Sequence, residues 1–349
     1  MASPMEVAAM RRALAFAARG PAGGPNPRVG CVVLDRTGAV AGEGWHRGAG
    51  TPHAEVDALR AAGDAACGGT AIVTLEPCSH TGRTGPCSQA LLDAGIARVV
   101  VAAADPNPDA AGGAALLRAA GVDVEEGVLA DEAAAVNRRW FVAVRRGRPF
   151  VTWKFASTLD GRSAAADGTS RWITGAASRA DVHARRAEAG AVVVGTGTVA
   201  ADDPHLTVRA ADGAPTGPQP LRVVVGLSEV PAGARVLDDS APTVHLRTRD
   251  PHEVLRTLHA REVRHVWLEG GPRLAAAFLA AGCVDEVLAY LAPAFLGAGA
   301  SAVADLGIAS VADIVRLDVT DVALLDGGDV RMTAVPRSLS CTDPSRERA

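Results

Sequence analysis

Lysine is almost absent from this sequence: Lys154 is the single lysine among 349 residues, and arginine supplies the rest of the side-chain positive charge. Aromatic residues are also scarce, at 3% of the chain, which argues against a surface that stacks nucleic-acid bases. The formal net charge of −4 provides no global attraction to nucleic acid or to an anionic membrane. No uninterrupted apolar run is long enough to span a bilayer.

Two of the six cysteines belong to the candidate metal site described below, and the other four are scattered without a paired framework. This pattern favours a reducing compartment over secretion. The first residues lack a basic lead followed by an apolar core, so we expect no signal peptide and a cytoplasmic location. A chain of 349 residues exceeds the usual size of one hydrophobic core, which predicts two domains.

One stretch carries a histidine, a glutamate and two cysteines in an order that is typical of a catalytic metal site. His53 and Glu55 are two residues apart, and Cys78 and Cys87 follow a strand-like segment. One imidazole and two thiolates provide three ligands for Zn²⁺ and leave the fourth tetrahedral position for water. Zinc deaminases use this set, with a glutamate that moves protons and does not bind the metal. We therefore predict that His53, Cys78 and Cys87 hold zinc and that Glu55 is catalytic.

Deamination explains each of these residue types. Water must lose a proton near neutral pH to attack the ring carbon, and zinc lowers its pKa enough for that. Glu55 would take this proton, protonate a ring nitrogen and finally deliver a proton to departing ammonia. Two alternatives stay open, a non-catalytic zinc-stabilised scaffold and a nucleic-acid editing deaminase with a C-terminal binding module. A long cysteine spacing, with His80 and Arg83 in the loop, argues against the second.

Strands alternate with helices along the chain, which predicts an α/β fold whose first unit is an α/β/α sandwich. The pattern predicts a helix from Asp131 to about Arg139, followed by a polar, proline-punctuated boundary at 145–149. We predict domains at 1–146 and 147–337 and a disordered tail at 338–349. Two glycine-containing turns, at 195–198 and 269–272, are either phosphate-binding turns or simple tight turns.

The first half resembles the bifunctional riboflavin-biosynthesis deaminase–reductase family. The matching segments are 26–30, 44–46, 53–56 and 75–84. The resemblance implies a cytidine-deaminase-like first domain that deaminates 2,5-diamino-6-ribosylamino-4(3H)-pyrimidinone 5′-phosphate. It also implies that the pyrimidine or its ribose phosphate is contacted by Asn26, His46, His80 and Arg83.

The second half resembles the reductase of the same family, through segments 154–162, 170–174, 201–209 and 269–272. The resemblance implies a dihydrofolate-reductase-like α/β domain in which NADPH delivers hydride to C1′, giving 5-amino-6-(5-phosphoribitylamino)uracil. It implies a cofactor site formed by Ala156, Trp172, Thr198, Asp202 and Gly271. It implies a substrate site formed by Ser170, Arg186, Leu206, Arg209 and Glu269. We predict that Lys154, with Glu269, assists the proton movements of ribose ring opening.

The same resemblance implies a homo-oligomer, either a dimer or a tetramer, that acts on a small pyrimidine ribotide. Neither nucleic acid nor a membrane is expected as a partner. A remaining alternative keeps the deaminase and has an inactive reductase half. The presence of Lys154, Asp202, Arg209 and Glu269 weighs against that alternative.

Overall fold

The computed structural model describes residues 1–80, 85–210 and 213–337 of the chain. The chain divides into two compact units, Met1–Pro149 and Phe150–Ala349. The tail for which disorder was predicted, 338–349, lies outside the described residues, and so does Arg83. No helix among the described residues is both long enough and apolar enough to cross a membrane.

The first unit is built on one five-stranded sheet with helices on both faces. Its strands are β1 (Gly30–Leu34), β2 (Val40–Trp45), β3 (Thr70–Leu75), β4 (Arg98–Ala103) and β5 (Asp123–Glu126). Its helices are α1 (Pro4–Ala17), α2 (Ala54–Ala62), α3 (Cys87–Asp93), α4 (Gly113–Ala119), α5 (Ala130–Val136) and α6 (Arg138–Arg146), with a short 3-10 helix at Gly63–Ala66.

The order of the strands is β2-β1-β3-β4-β5. Strand β1 is antiparallel to both of its neighbours, and β3, β4 and β5 are mutually parallel. Successive side chains of a strand point to opposite faces. Val33 therefore packs in the core that includes residues of α2, α3 and α4, whereas Val32 packs in the core that includes residues of α1 and α5. This arrangement confirms the predicted α/β/α sandwich.

The helix predicted from Asp131 to about Arg139 is wrong in its extent. The segment forms α5 and α6, which are separated at Asn137. The Asn137 side chain accepts a hydrogen bond from the backbone N–H of Arg28 (2.8 Å) and donates one to the Arg28 carbonyl (2.7 Å). These long-range bonds hold Asn137 out of the helical conformation, and α6 then continues to a left-handed Gly147.

The second unit has one eight-stranded sheet. Its strands are β6 (Phe150–Thr158), β7 (Ala191–Gly195), β8 (Leu221–Val225), β9 (Thr243–Leu246), β10 (His265–Leu268), β11 (Glu286–Ala292), β12 (Leu317–Leu324) and β13 (Val330–Pro336). Its helices are α7 (Ala176–Arg186), α8 (Thr196–Asp202), α9 (Pro251–Ala260) and α10 (Pro272–Ala280), with 3-10 helices at Arg235–Leu237 and Val311–Asp313.

The order of this sheet is β12-β13-β11-β6-β10-β7-β8-β9. Six neighbouring strands, from β11 to β9, are parallel, and β13 and β12 extend the sheet in antiparallel fashion. Strand β7 is a continuous apolar run because helices cover both of its faces, α9 and α10 on one side and α7 and α8 on the other. The carboxyl ends of parallel strands form the edge at which α/β folds bind ligands.

The segment 195–198 is more than a tight turn. Gly195 is the N-cap of α8, which continues from Thr196 to Asp202. Gly271 is likewise the N-cap of α10, with Pro272 as the first helical residue. Proline suits this position because an N–H in the first turn of a helix has no acceptor within the helix, so its absence costs no hydrogen bond. Both glycine-containing turns therefore lead from a parallel strand into a helix.

Candidate active sites

Three sequence-predicted zinc ligands converge at one end of the first sheet. His53 is the N-cap of α2, Cys78 follows β3, and Cys87 is the first residue of α3. Cys78 and Cys87 are held together because the backbone N–H groups of Cys87 and Ser88 approach the sulfur and the carbonyl oxygen of Cys78 (3.4 and 3.2 Å). The ligand atoms of the three residues lie within 4.8 Å of one another.

The spacing of these atoms fits a tetrahedral zinc ion. His53 Nδ1 lies 3.1 Å from Cys87 Sγ and 3.7 Å from Cys78 Sγ. A tetrahedral ion with Zn–S of about 2.3 Å and Zn–N of about 2.0 Å separates its ligands by roughly 3.5–3.8 Å. Only small shifts are therefore needed to hold the metal. A single imidazole and two thiolates leave the fourth position open, which is the arrangement of a catalytic zinc site.

The electrostatics of the cluster favour a metal cation. The hydrogen bond from Cys87 lowers the pKa of Cys78 to about 4, and the same bond, with burial, raises the pKa of Cys87. Glu55 is 3% exposed and lies against the Cys87 sulfur. Burial raises the pKa of Glu55 to about 7, although attraction to His53 opposes the shift. A bound Zn²⁺ would draw both thiols and this carboxyl towards their anionic forms.

The structure also brings Asn26 and His46 to this cluster. His46 Nδ1 lies 3.1 Å from the Pro52 carbonyl oxygen, which only accepts, so Nδ1 carries the proton. His46 Nε2 then accepts a hydrogen bond from the Asn26 amide (2.9 Å). The His46 ring meets the His53 ring edge-on, with centroids 5.3 Å apart. Both nitrogens of His46 are thus directed to protein atoms, whereas His80 is exposed on the loop after Cys78.

A second cluster surrounds the single lysine. Lys154 lies on β6, and Glu269 follows β10, the neighbouring parallel strand. The Glu269 carboxylate accepts hydrogen bonds from Arg186 Nε (3.1 Å), Arg186 Nη2 (2.8 Å) and Trp267 Nε1. Burial opposes its ionisation, but Arg186 and Lys154 outweigh this and lower the pKa of Glu269 to about 2. Burial lowers the pKa of Lys154, and Glu269 acts against that shift.

The other predicted substrate residues differ in which of their atoms are available to a ligand. Arg209 Nε is buried and has no hydrogen-bond partner among the described residues. The Leu206 side chain is 4% exposed and packs in the core around α7 and α8, so only its backbone is available to a ligand. Ser170 is partly buried in the segment between β6 and α7. Burial and the nearby Arg186 lower the pKa of Arg209.

Of the predicted cofactor residues, Thr198 and Gly271 lie at the starts of α8 and α10, and Asp202 ends α8. The backbone N–H of Gly271 donates to Thr198 Oγ1 (3.2 Å), which joins the two glycine-containing turns. Backbone N–H groups at helix starts bind phosphates. At α10 the Gly271 N–H is engaged by Thr198 and Pro272 has no N–H, so the start of α8 is the better candidate for a phosphate. Arg171 donates to the Asp202 carbonyl, and the Arg179 guanidinium stacks 4.6 Å over the exposed Trp172 ring. Ala156 lies on β6, two residues beyond Lys154.

Two residues near Lys154 were missed by sequence reasoning. His183 lies three residues before Arg186 on α7, a spacing that places both on one helix face and was a usable signal. Tyr290, the only tyrosine of the chain, has its ring centroid 5.9 Å from Lys154 Nζ. Its hydroxyl donates to Asp181 (2.6 Å), which also pairs with Arg331 (3.2 Å). That network joins residues distant in sequence, so no local motif revealed it.

Comparison with known families gives two matches. The model for the cytidine and deoxycytidylate deaminase zinc-binding region matches residues 5–103. The model for the RibD C-terminal domain matches residues 149–328. Each match covers one of the two clusters just described.

Individual relatives match along most of the chain. The riboflavin biosynthesis protein RibD of Mycobacterium tuberculosis is 54% identical over 283 residues, which cover 81% of this chain and 83% of that protein. This chain belongs to the RibD family. RibD of Escherichia coli is 41% identical over 331 residues, covering 85% of this chain and 90% of that protein.

Solved structures of RibD proteins are similar to this chain along most of its length. Acinetobacter baumannii RibD superposes with a TM-score of 0.88 at 40% identity, covering 95% of this chain and 99% of that chain. A Thermotoga maritima structure, described as a diaminohydroxyphosphoribosylaminopyrimidine deaminase/5-amino-6-(5-phosphoribosylamino)uracil reductase, has a TM-score of 0.85 at 34% identity. The match covers 95% of this chain and 99% of that chain.

Membership of the RibD family confirms the fold class and the bifunctional assignment made from the sequence. The chain is a riboflavin-pathway enzyme with a zinc-dependent deaminase and an NADPH-dependent reductase. A nucleic-acid editing enzyme and a chain with an inactive reductase half are not favoured. The predicted substrate class, a small molecule, follows from the family.

Proposed function

We propose that residues 1–146 deaminate 2,5-diamino-6-ribosylamino-4(3H)-pyrimidinone 5′-phosphate and that residues 147–337 reduce the product. The observation that carries the proposal is the three-ligand cluster of His53, Cys78 and Cys87 beside the buried carboxyl of Glu55. The name of the Thermotoga maritima relative supports the two reactions and their substrates.

In the first reaction His53, Cys78 and Cys87 hold zinc. The metal supplies the acidity that lets water attack the ring carbon near neutral pH. Glu55 accepts the water proton, protonates the ring nitrogen and then delivers a proton to the leaving amino group. The Glu55 carboxyl is buried and lies against the Cys87 sulfur, which places it beside the metal site without making it a ligand.

Substrate recognition in this site falls to Asn26, His46, His80 and Arg83. His46 fixes the Asn26 amide through Nε2, which leaves the Asn26 oxygen and second N–H for the pyrimidine. His46 therefore acts through Asn26 as a positioning residue. The proposed contacts of His80 and Arg83 are with the ribose phosphate.

In the second reaction Ala156, Trp172, Thr198, Asp202 and Gly271 hold NADPH, which supplies hydride to C1′. Lys154 and Glu269 move the protons of ribose ring opening. The lowered pKa of Lys154 makes its ammonium a better proton donor to the ring oxygen than an ordinary lysine. Ser170, the backbone of Leu206, and Arg209 bind the substrate, and Arg186 orients Glu269.

The two arginines have different tasks, and their substitution separates them. All three guanidinium nitrogens of Arg186 donate to protein oxygens, on Glu269 and Thr207. Arg186→Met is expected to lower the free energy of unfolding of the second unit by about 3 kcal/mol, because it strips a buried carboxylate of its partner.

Arg209→Met is the matched control. It is expected to keep that free energy within about 0.5 kcal/mol and to weaken substrate binding instead. Calorimetric melting of the full chain and the KM for the ribotide provide both readouts. Equal destabilisation by the two substitutions would contradict the assignment.

The chain is proposed to form a homo-oligomer, a dimer or a tetramer. Strand β12 is the edge of the second sheet, and its Val319, Val322 and Leu324 are 54%, 61% and 77% exposed. An edge strand with exposed apolar side chains is a surface that protein partners cover.

Val322→Glu is expected to shift the full chain to monomers in sedimentation velocity. Burying an unpaired charge in an apolar interface costs more than the contact provides. Val40→Glu, at the start of the edge strand β2, is the control and should leave the oligomer intact. A monomeric wild type, or an unchanged Val322→Glu oligomer, would refute the interface.

The remaining proposals concern the cellular location of the protein and its partners. A cytoplasmic location is supported by cysteines that must stay reduced to act as thiolate ligands. The absence of nucleic-acid partners is supported by the net charge of −4 and the scarcity of aromatic side chains.

Removal of the metal tests whether zinc is required for the deamination and not for the reduction. Chelation should abolish ammonia release from the ribotide, and added Zn²⁺ should restore it. NADPH oxidation with the already deaminated ribotide should continue in the chelated protein. Loss of both activities, or of neither, on chelation would contradict the proposal.

A further inference from the structure

The aromatic ring of Tyr290 faces the ammonium group of Lys154. Strands β6 and β11 are parallel neighbours, and Tyr290 lies beside Ala156, two residues beyond Lys154. Alternate residues of a strand share a face, so Tyr290 and Lys154 project from the same face of the sheet. The ring centroid lies 5.9 Å from Lys154 Nζ. At this distance the face of an aromatic ring attracts a cation.

The Lys154 ammonium lies among charges of both signs. Burial lowers its pKa, attraction to Glu269 after β10 opposes this, and repulsion by Arg186 on α7 adds to it. The Glu269 carboxylate is already paired with Arg186 (2.8 Å). His183 on α7 is neutral at pH 7, because burial and repulsion by Arg186 lower its pKa to about 4. The Tyr290 ring on β11 adds a second attraction that favours the ammonium form.

The hydroxyl group of Tyr290 fixes the position of its ring. The side chain is buried, and the hydroxyl donates to Asp181 Oδ2 on α7 (2.6 Å). Asp181 also accepts hydrogen bonds from Arg185 Nε (2.9 Å) and from Arg331 Nη1 on β13 (3.2 Å). Burial and then the bond to Asp181 raise the pKa of Tyr290, so the hydroxyl stays protonated. The ring is therefore uncharged and anchored at its far end.

We propose that Tyr290 is a positioning residue for the reduction and that its ring face holds the ammonium of Lys154 in place. This inference rests on the proposed role of Lys154 in ribose ring opening. Tyr290 acts through Lys154 and does not itself transfer a proton. Loss of the ring should both free the lysine side chain and lower the pKa of Lys154, because one of the attractions that favour the ammonium is removed.

The pKa of Lys154 can be measured directly because it is the only lysine of the chain. Labelling of the full chain with lysine that carries ¹³C at Cε gives one NMR signal, whose titration reports this group alone. Tyr290→Leu should lower the pKa of Lys154 by about 1, the size expected for a cation–π contact removed from water. Tyr290→Phe keeps the ring face and should leave that pKa within about 0.3 of the wild-type value.

NADPH oxidation with the deaminated ribotide provides the second readout. Tyr290→Leu should lower kcat roughly 10- to 100-fold through misplacement of the lysine, with KM for the ribotide within about threefold. Because the reaction uses the ammonium, kcat falls as pH rises through the pKa of Lys154. In Tyr290→Leu this fall should begin at a pH about 1 lower. Tyr290→Phe should keep kcat within about twofold and the wild-type pH profile.

Val236→Ala is the matched control for loss of core packing. Val236 is buried in the same core as Tyr290. Its truncation should lower the melting temperature but leave the pKa of Lys154 and the pH profile of kcat unchanged. If Tyr290→Leu does not fold, Tyr290→Met, which also lacks a ring, provides the same comparison with Tyr290→Phe.

A wild-type pKa of Lys154 in the variant without a ring would overturn the inference. So would an equal loss of kcat in Tyr290→Phe, which would assign the effect to the hydroxyl and its bond to Asp181. An equal shift of that pKa in Val236→Ala would also contradict it. Failure of the proposed reduction gives a different result: the pKa of Lys154 would depend on the ring as expected, yet NADPH oxidation would be unchanged in both Tyr290→Leu and Lys154→Met.

Discussion

Glu55→Gln is expected to lower the turnover number for ammonia release by about 10²–10⁴-fold, the range for removal of a general acid–base group. Glutamine has the shape of glutamate but cannot accept and return a proton. Zinc content and melting temperature should remain close to those of the wild type, because Glu55 is not needed as a metal ligand. Ammonia release, metal analysis and calorimetry on the same preparation provide the three readouts.

Asp57→Asn is the control for Glu55→Gln. Asp57 lies two residues further along α2 and pairs with Arg47 (2.9 Å), so its substitution removes a carboxylate from the same helix. It should leave ammonia release unchanged. Parallel loss of zinc and of melting temperature in Glu55→Gln would instead assign the carboxyl a structural role and favour a zinc-stabilised scaffold.

Lys154→Met is expected to slow NADPH oxidation by about 10²–10⁴-fold while the fold persists. Methionine retains the unbranched stem that packs on β6 but carries no proton. Glu269 keeps its hydrogen bonds from Arg186 and Trp267, so the neighbouring carboxylate stays paired. The measurement is NADPH oxidation with the deaminated ribotide, with ammonia release by the same protein as an internal reference that should not change.

Lys154→Arg separates proton transfer from simple charge. An arginine side chain keeps the positive charge but does not release its proton near neutral pH. The variant should therefore be as slow as Lys154→Met. Recovery of most of the activity in Lys154→Arg would show that Lys154 acts only through its charge, and unchanged turnover in Lys154→Met would remove it from the mechanism.

The zinc cluster was predictable because its signals are local. His53 and Glu55 share the first turn of one helix, and Cys87 starts another immediately after Pro86. These spacings specify the chemistry before any fold is known. The alternation of strands and helices was also sufficient to predict an α/β/α sandwich, because the central strands β1, β3 and β4 are short and apolar and each helix has buried residues.

The second cluster was less predictable from its residues because its interactions are long-range. Arg186 and Glu269 are 83 residues apart in sequence, and only the neighbouring β10 and α7 bring them together. The resemblance named Arg186 as a substrate residue, but its hydrogen bonds to Glu269 and Thr207 become visible only in the fold. For the same reason the break at Asn137 was missed, since its partner Arg28 is 109 residues away.

Mass analysis of the products of the purified chain tests the central claim, that one polypeptide first hydrolyses and then reduces the same ribotide. Incubation with the diaminopyrimidinone ribotide alone should replace one amino group with oxygen and release ammonia. Addition of NADPH should then add two hydrogens to the ribosyl group. Reduction without NADPH, or a substrate that keeps its amino group in the presence of zinc, would contradict this account.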